Sequence, residues 1–455
     1  MSLLAEYLRE FGRFQRNAQL YLMSNALSGV SAGILLVLYN LYLVSLGYKT
    51  DFIGLVLFTA TLGAGIAIFP AGLCVDRFGG KIILILMTLV FGLIGAGQIF
   101  FRQPLPLLIS GFIAGLATAF FLVVNAPYLT ANSTYEDRSH LFSLNIVVQL
   151  GMMVLGEVLG GALPQWLRMV SWLMAPLPTQ IQWLLAPQST ARSYQLALLS
   201  AGLLAIPSLI PLFLLSDDRP LKTDGVRAHT SSTIDKDRLQ IALQRFKAWY
   251  KRLTLIHPRS VLASPFSALL LAWILVGLGA GLFVPYFNVY FVQHLKASSA
   301  LFGLIDGGAN GINALLTLVA PLIAMRIGKI HTITLTRLIS IPLLLTIGFT
   351  SLLPLAALLY LFRQGTMDMS MGVFQVYSME AVPVQRRGVA NSGYQAAFQV
   401  SWAATTPLGG LLIAHVGYTP VFVSGAVLYL LAIVLLWMRF GRKSIAEEKA
   451  KSVVD

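Results

Sequence analysis

Apolar residues run along this chain in long unbroken blocks, and polar residues collect between them. Each block is about 20 residues or longer, enough to cross the hydrocarbon core of a bilayer as a helix. The strict in-out alternation of a membrane barrel strand is missing. The pattern predicts twelve membrane-spanning helices, at roughly 18–44, 52–74, 82–101, 106–129, 141–163, 192–216, 263–293, 299–325, 331–350, 354–378, 388–415 and 419–438. The fifth and sixth are the least sharply bounded, because the stretch between them is itself apolar.

The blocks also repeat. Asn40 answers Asn288 248 positions on, and afterwards the offset is 249. Gly54 meets Gly303, Arg77 meets Arg326, Gly79 meets Gly328, Arg138 meets Arg387, and Gly160–Gly161 meets Gly409–Gly410. One register held over this length implies two copies of one unit in the same order, the layout of a secondary transporter. The expected domains are 1–216, a six-helix bundle with a short interfacial N-terminal helix (Leu4, Tyr7, Leu8, Phe11, Phe14); 217–262, a linker; 263–440, a second six-helix bundle; and 441–455, a tail.

Composition agrees: 57% of residues are hydrophobic, 11% are charged, and the mean hydropathy is +0.77. A soluble protein of this length could not hide so much apolar surface. The net charge of +14 reports orientation. About 26 of the 32 Lys and Arg are assigned to the termini and alternate loops, and five (Lys49, Arg102, Arg168, Arg192, Lys296) to the other loops. The positive-inside rule then puts both termini in the cytoplasm, with a bacterial inner (plasma) membrane as the expected location. The partner implied by the basic surface is anionic lipid, not nucleic acid. In the linker, Leu239, Leu243, Phe246, Tyr250 and Leu253 recur at helical spacing among basic residues, as in an interfacial helix. The segment Pro164 to Thr190 carries Trp166, Trp172 and Trp183, which read as interfacial anchors or as a lid over the outer mouth. Cys74 is the lone cysteine, so no internal disulfide forms.

Between spans two and three the chain reads GLCVDRFGGK, from Gly72 to Lys81. This resembles the cytoplasmic signature of the major facilitator superfamily, Gly-x-x-x-Asp-Arg-x-Gly-Arg-Lys. Gly72, Asp76, Arg77, Gly79 and Lys81 match, and Gly80 replaces the usual Arg. A worn copy, PLIAMRIGK, keeps Arg326 and Gly328 but has Met325 opposite Asp76. The resemblance implies two six-helix halves around a cavity lined by spans one, four, seven and ten. It also implies a conformational latch formed by Gly72, Asp76, Arg77, Gly79, Lys81, Arg326 and Gly328 against the start of span eleven. The run GMMVLGEVLGG in span five resembles a motif of drug:proton antiporters, with Glu157 at its Pro position. The Arg that many such exporters carry in span four is Gly111 here.

Four ionisable residues are singled out inside spans: Glu157, Asp306, Arg363 and Asp368. A charge at mid-bilayer costs roughly 2.5–3.5 kcal/mol, so such groups face a cavity or a partner and are the candidates for proton coupling. Arg363 and Asp368, five apart, do not share a helix face, and Arg363 is expected to meet Asp306 or another acid. Three acids against one base suit a proton or an organic cation. Candidate cavity residues are Asn25, Asn40, Asn125, Asn288, Gln364, Met367 and Gln395, with Asn40 and Asn288 equally able to serve helix packing.

Neither a phosphate-binding loop nor a metal-ligand motif is present in the sequence, so no cofactor, no metal and no enzymatic activity are expected, and an ion gradient is the power source. The expected function is secondary active transport, with proton-coupled export of an amphiphilic or cationic small molecule ahead of proton-coupled uptake of a polar metabolite. Lipid transport and a non-transporting receptor or scaffold stand behind these.

Overall fold

The computed structural model describes residue 12 and residues 14–134, 137–216, 264–383 and 387–441. The linker helix, the tail and most of the N-terminal helix lie outside the described residues. Within them the chain is helical, and no strand occurs. Helices α1 Arg16–Ser45, α2 Thr50–Phe78, α3 Gly80–Phe100, α4 Pro104–Ala131, α5 Arg138–Met169 and α6 Ser189–Ala205 form the first half. The second half comprises α7 Pro265–Phe283, α8 Ser299–Ile327, α9 Lys329–Phe349, α10 Leu353–Asp368, α11 Arg387–His415 and α12 Tyr418–Leu436. Among the described residues, ten helices are long and apolar enough to cross a membrane. The columns of α10 and α11 complete the twelve. The column of α10 breaks after Asp368 and resumes over Met371–Glu380, and α11 is rich in Ser, Thr and Gln.

Local chemistry sets several ends. Pro104, Pro265 and Pro354 stand in first turns, where a missing N–H costs nothing. Ser298 caps α8 by accepting from the Leu301 amide at 3.1 Å. The column of α7 passes through a 3-10 turn at Val284–Tyr286, where Pro285 cannot continue the helical ladder, and ends in a π-turn at Tyr290–His294.

The sequence repeat is written into backbone and hydrogen bonds. Gly79 and Gly328, 249 apart, end α2 and α8 with φ of 81° and 79°. Tyr42 donates to the Ile99 carbonyl at 2.6 Å, and Tyr290, 248 residues on, donates to the Ile347 carbonyl at 2.5 Å. Gly47 has φ 95°, and at its equivalent Lys296 has φ 57°, the one left-handed non-glycine among the described residues.

One large apolar core, running from Ile34 to Ile433, takes residues from both halves. Two smaller cores belong to one half each: Phe14 to Leu215 in the first, Ala268 to Phe440 in the second. The smaller cores lie at the end of the bundle where both termini emerge. The halves are therefore joined at the far end and separate towards the terminal end. There the helices that would face each other are exposed, including Ile66 and Ile68 on α2, Ile146, Val147 and Leu150 on α5, Leu318 and Leu322 on α8, and Val400 on α11.

Candidate functional site

The far-end seam is built from the residues that repeat. Asn40 donates to the Pro285 carbonyl at 2.8 Å and to Asn288 at 3.3 Å, and Asn288 donates back to the Val37 carbonyl at 3.2 Å. Both asparagines are buried and spend their amides tying α1 to the kinked column of α7. Thr50 on α2 donates to the Gly410 carbonyl of α11 at 2.9 Å, and Ser299 on α8 donates to the Gly161 carbonyl of α5 at 2.9 Å. Glycine is required at the crossing: a Cβ on Gly161 would sit 2.5 Å from the Ser299 carbonyl oxygen, and one on Gly303 would strike the Glu157 carbonyl.

Glu157 lies at this seam, on α5. It is 0% exposed, and its two oxygens accept from the Asn310 amide of α8, both at 3.0 Å. Asp306, one turn before Asn310, accepts from the Tyr360 hydroxyl of α10 at 2.8 Å and lies within electrostatic reach of Glu157. Two carboxylates from opposite halves thus share one patch, Glu157 held by the Asn310 amide and Asp306 by the Tyr360 hydroxyl.

Arg363 does not meet Asp306. Its guanidinium donates to Gln364 at 3.1 Å and to the Tyr429 hydroxyl of α12 at 3.3 Å, and lies 5.0 Å over the Phe283 ring. Gln364 in turn donates to Asp368 at 2.7 Å, so an amide links the two charges that the helix geometry keeps apart. Met367 is buried, and its sulfur accepts from Ser340 of α9 at 3.5 Å. Gln395 is exposed on α11. In the first half, Asn25 donates to Asn145 at 2.7 Å, and Asn145 and Tyr21 both donate to Asn125, at 3.4 and 3.2 Å.

At the terminal end, Gly79 and Gly328 supply the two turns, and a Cβ on Gly72 would lie 4.0 Å from the Val123 side chain of α4. Lys81 donates to the Leu215 carbonyl at 2.5 Å, holding the Gly79 turn to the end of the first half. Arg77 and Arg326 are exposed. The Asp76 side chain and the first residues of α11 that would receive it lie outside the described side chains. In the second half, Lys329 beside Gly328 makes an ion pair with Glu380 at 2.5 Å.

Sequence reading missed Arg337. It falls within the predicted span 331–350 but is not among the charges singled out there; it stands inside α9 and is 1% exposed. Its position seven residues into an apolar run was the available signal. With it, three intramembrane acids stand against two bases, and the negative bias shrinks. Asn145, Asn310, Tyr360 and Tyr429 were also missed, since polar residues in a span show their partners only in three dimensions.

The segment Pro164 to Thr190 is tied to its own half. Arg192 donates to the carbonyls of Ala186, Leu173, Ala175 and Pro187 at 2.7–3.0 Å, and Arg102 donates to that of Gln182 at 2.8 Å. Trp166, Trp172 and Trp183 are exposed, at 55%, 77% and 75%.

The sequence profile of the Major Facilitator Superfamily matches residues 21–376 and again 269–454, each match starting in one half. Among solved structures, the chain is similar to a bacterial homologue of the human lysosomal transporter Spinster in an inward-facing, unoccupied conformation (13% identity, TM-score 0.66, 93% of this chain and 96% of that one). It is similar to a bacterial homologue of the iron transporter ferroportin, inward-facing (16% identity, TM-score 0.67, 96% and 98%). An inward-open xylose transporter from E. coli is also similar (15% identity, TM-score 0.64, 92% and 95%).

Proposed function

Because the chain belongs to the major facilitator superfamily, we propose that it is a secondary active transporter working by alternating access, which exports an amphiphilic small molecule, organic cations included, in exchange for protons. Both termini and the linker lie in the cytoplasm on this reading, and the conformation described is open to that side. The observation that carries it is the placement of Glu157. A carboxylate buried at the seam that must part for the far end to open changes its surroundings once per cycle, as a coupling group must. Asp306, one turn from its amide partner, and Asp368, linked to Arg363 through Gln364, are the other coupling groups. The broken columns of α7 and α10 suit a site where helices bend around a cargo. No phosphate-binding loop occurs in the sequence to supply ATP drive.

Proton-coupled uptake of a polar metabolite is the second reading. It is favoured by the linked amides Asn25, Asn145 and Asn125, which offer donors and acceptors suited to hydroxyl groups.

The test is flux in proteoliposomes under an imposed pH gradient, first with lipophilic fluorescent cations and then with labelled sugars. Asp306→Asn and Asp368→Asn should keep exchange and lose gradient-driven accumulation in at least one case. Full accumulation in both, and in Glu157→Gln, would remove proton coupling from these acids.

A further inference from the structure

The second half contains two buried guanidinium groups that its own side chains leave incomplete. Arg337 reaches only the Met371 sulfur with Nη2, at 3.8 Å, and lies 4.4 Å over the Phe374 ring. Its Nε and Nη1 have no hydrogen-bond partner. Arg363, 2% exposed, uses both terminal nitrogens on Gln364 and Tyr429, and its Nε has no partner. Ser370 stands in the break of α10, next to Met371, and its buried hydroxyl is also unpartnered.

Among the described residues, the two arginines share one carboxylate neighbour. Asp368 is within electrostatic reach of both arginines, yet Gln364 occupies one of its oxygens. Neither arginine forms an ion pair within 4.0 Å among the described residues. Two positive charges and one negative leave an excess of one positive charge in a water-poor interior. Such an excess is costly unless a charge of opposite sign completes it. The unfilled groups are donors, so what completes them is an acceptor. The Phe374 ring, stacked at 4.9 Å on Trp273, fixes one wall and holds the Arg337 fork in place.

We infer that the break in α10, where it faces α9, binds a compact monovalent anion, with Arg337 as its main ligand and Ser370 and the Arg363 Nε completing the shell. The near-total burial of Arg337 fits a halide ion or a single carboxylate group and excludes a bulky one. Either source has the same chemistry here: an inorganic anion resident in the protein, or the anionic end of the transported molecule. Because α10 is interrupted at this point, the anion would also tie α9 to the hinge in α10.

The experiment uses the purified full-length protein and follows its thermal unfolding midpoint against concentration of sodium chloride, sodium acetate or the sodium salt of a bulky sulfonate, at constant ionic strength. A ligand that binds only the folded state raises the midpoint and then saturates. The expected result is a saturating rise with chloride or acetate, none with the sulfonate, and loss of the rise in Arg337→Gln. Ser370→Ala should move the half-maximal concentration about tenfold, the effect of one lost hydrogen bond to a charged group. A rise with chloride assigns a resident inorganic ion, and a rise with acetate alone assigns a carboxylate of the cargo. An identical salt response in the wild type and Arg337→Gln overturns the inference. If Arg337→Gln does not fold, an unchanged half-maximal concentration in Ser370→Ala overturns it instead. No flux is measured, so the result stands apart from the transport reading.

Discussion

Thr50 donates its hydroxyl proton to the Gly410 carbonyl at 2.9 Å across the seam between the two halves. Ser299 and Gly161 lie 249 residues from Thr50 and Gly410 respectively, and they make the same bond at the same distance. The seam therefore closes by one contact used twice, with the roles of the halves exchanged. Each bond runs from the first turn of one helix to a glycine carbonyl near the far end of another. Only glycine allows the approach, because a side chain there would meet the opposing backbone.

Removing these bonds should loosen the far end. A helix–helix hydrogen bond in a membrane contributes about 0.6 kcal/mol on average, and a soluble one about 1. Thr50→Ala with Ser299→Ala should then shift the balance between closed and open far ends roughly tenfold. Spin labels at exposed Lys49 and Val416 report the change as a longer distance population. Distances that match the parent protein would show that apolar packing alone holds the seam.

Lys296 holds the left-handed conformation that its counterpart Gly47 adopts freely. A side chain in that region costs about 1 kcal/mol or more, offset in part by the larger entropy that glycine brings to the unfolded chain. Lys296→Gly should raise the thermal midpoint by an amount equivalent to under about 1 kcal/mol, whereas Gly47→Ala should lower it by about 1 kcal/mol. Opposite signs at equivalent positions are the signature to look for.

Arg192 should be irreplaceable by lysine. Its planar fork serves four carbonyls at once, and an ammonium cannot reach all of them. Arg192→Lys should cost about 3 kcal/mol, since several buried carbonyls lose their donors. Limited proteolysis should then cut between 175 and 188 much faster than in the parent.

Glu157→Gln keeps an oxygen for Asn310 and removes the charge. Folding should be unaffected within about 1 kcal/mol, while accumulation under a pH gradient falls and passive exchange persists. Loss of exchange together with accumulation would mark Glu157 as a structural part of the seam.

Much of this architecture is legible in the sequence, because the bilayer imposes a rule that composition alone satisfies: long apolar runs, charges outside. The helix ends at Gly79 and Gly328 could be foreseen from the repeated glycines. Asn40 and Asn288 could be paired by register, although their carbonyl partners could not. The break in the α10 column was hidden, since no proline marks it and only Gly365 and Gly372 stand on either side. Arg337 was hidden although the predicted span 331–350 contains it, because Arg326 and Lys329 near the start of α9 read as one basic cluster with it. The link from Arg363 through Gln364 to Asp368 was hidden for another reason. Helical spacing correctly excluded a direct contact, and a bridging amide carries no periodic signal.

The single core shared by both halves has a consequence for how the chain is made. Thr50 cannot find Gly410 until 360 further residues have been synthesised. At 5–20 residues per second that is roughly 20–70 s. During this time the first half stands in the bilayer with its far-end face unmatched, and lipid must occupy the surface that the second half will later displace. Assembly therefore ends in an exchange of lipid for protein, and the last glycine pair to arrive closes a surface whose other side was laid down first.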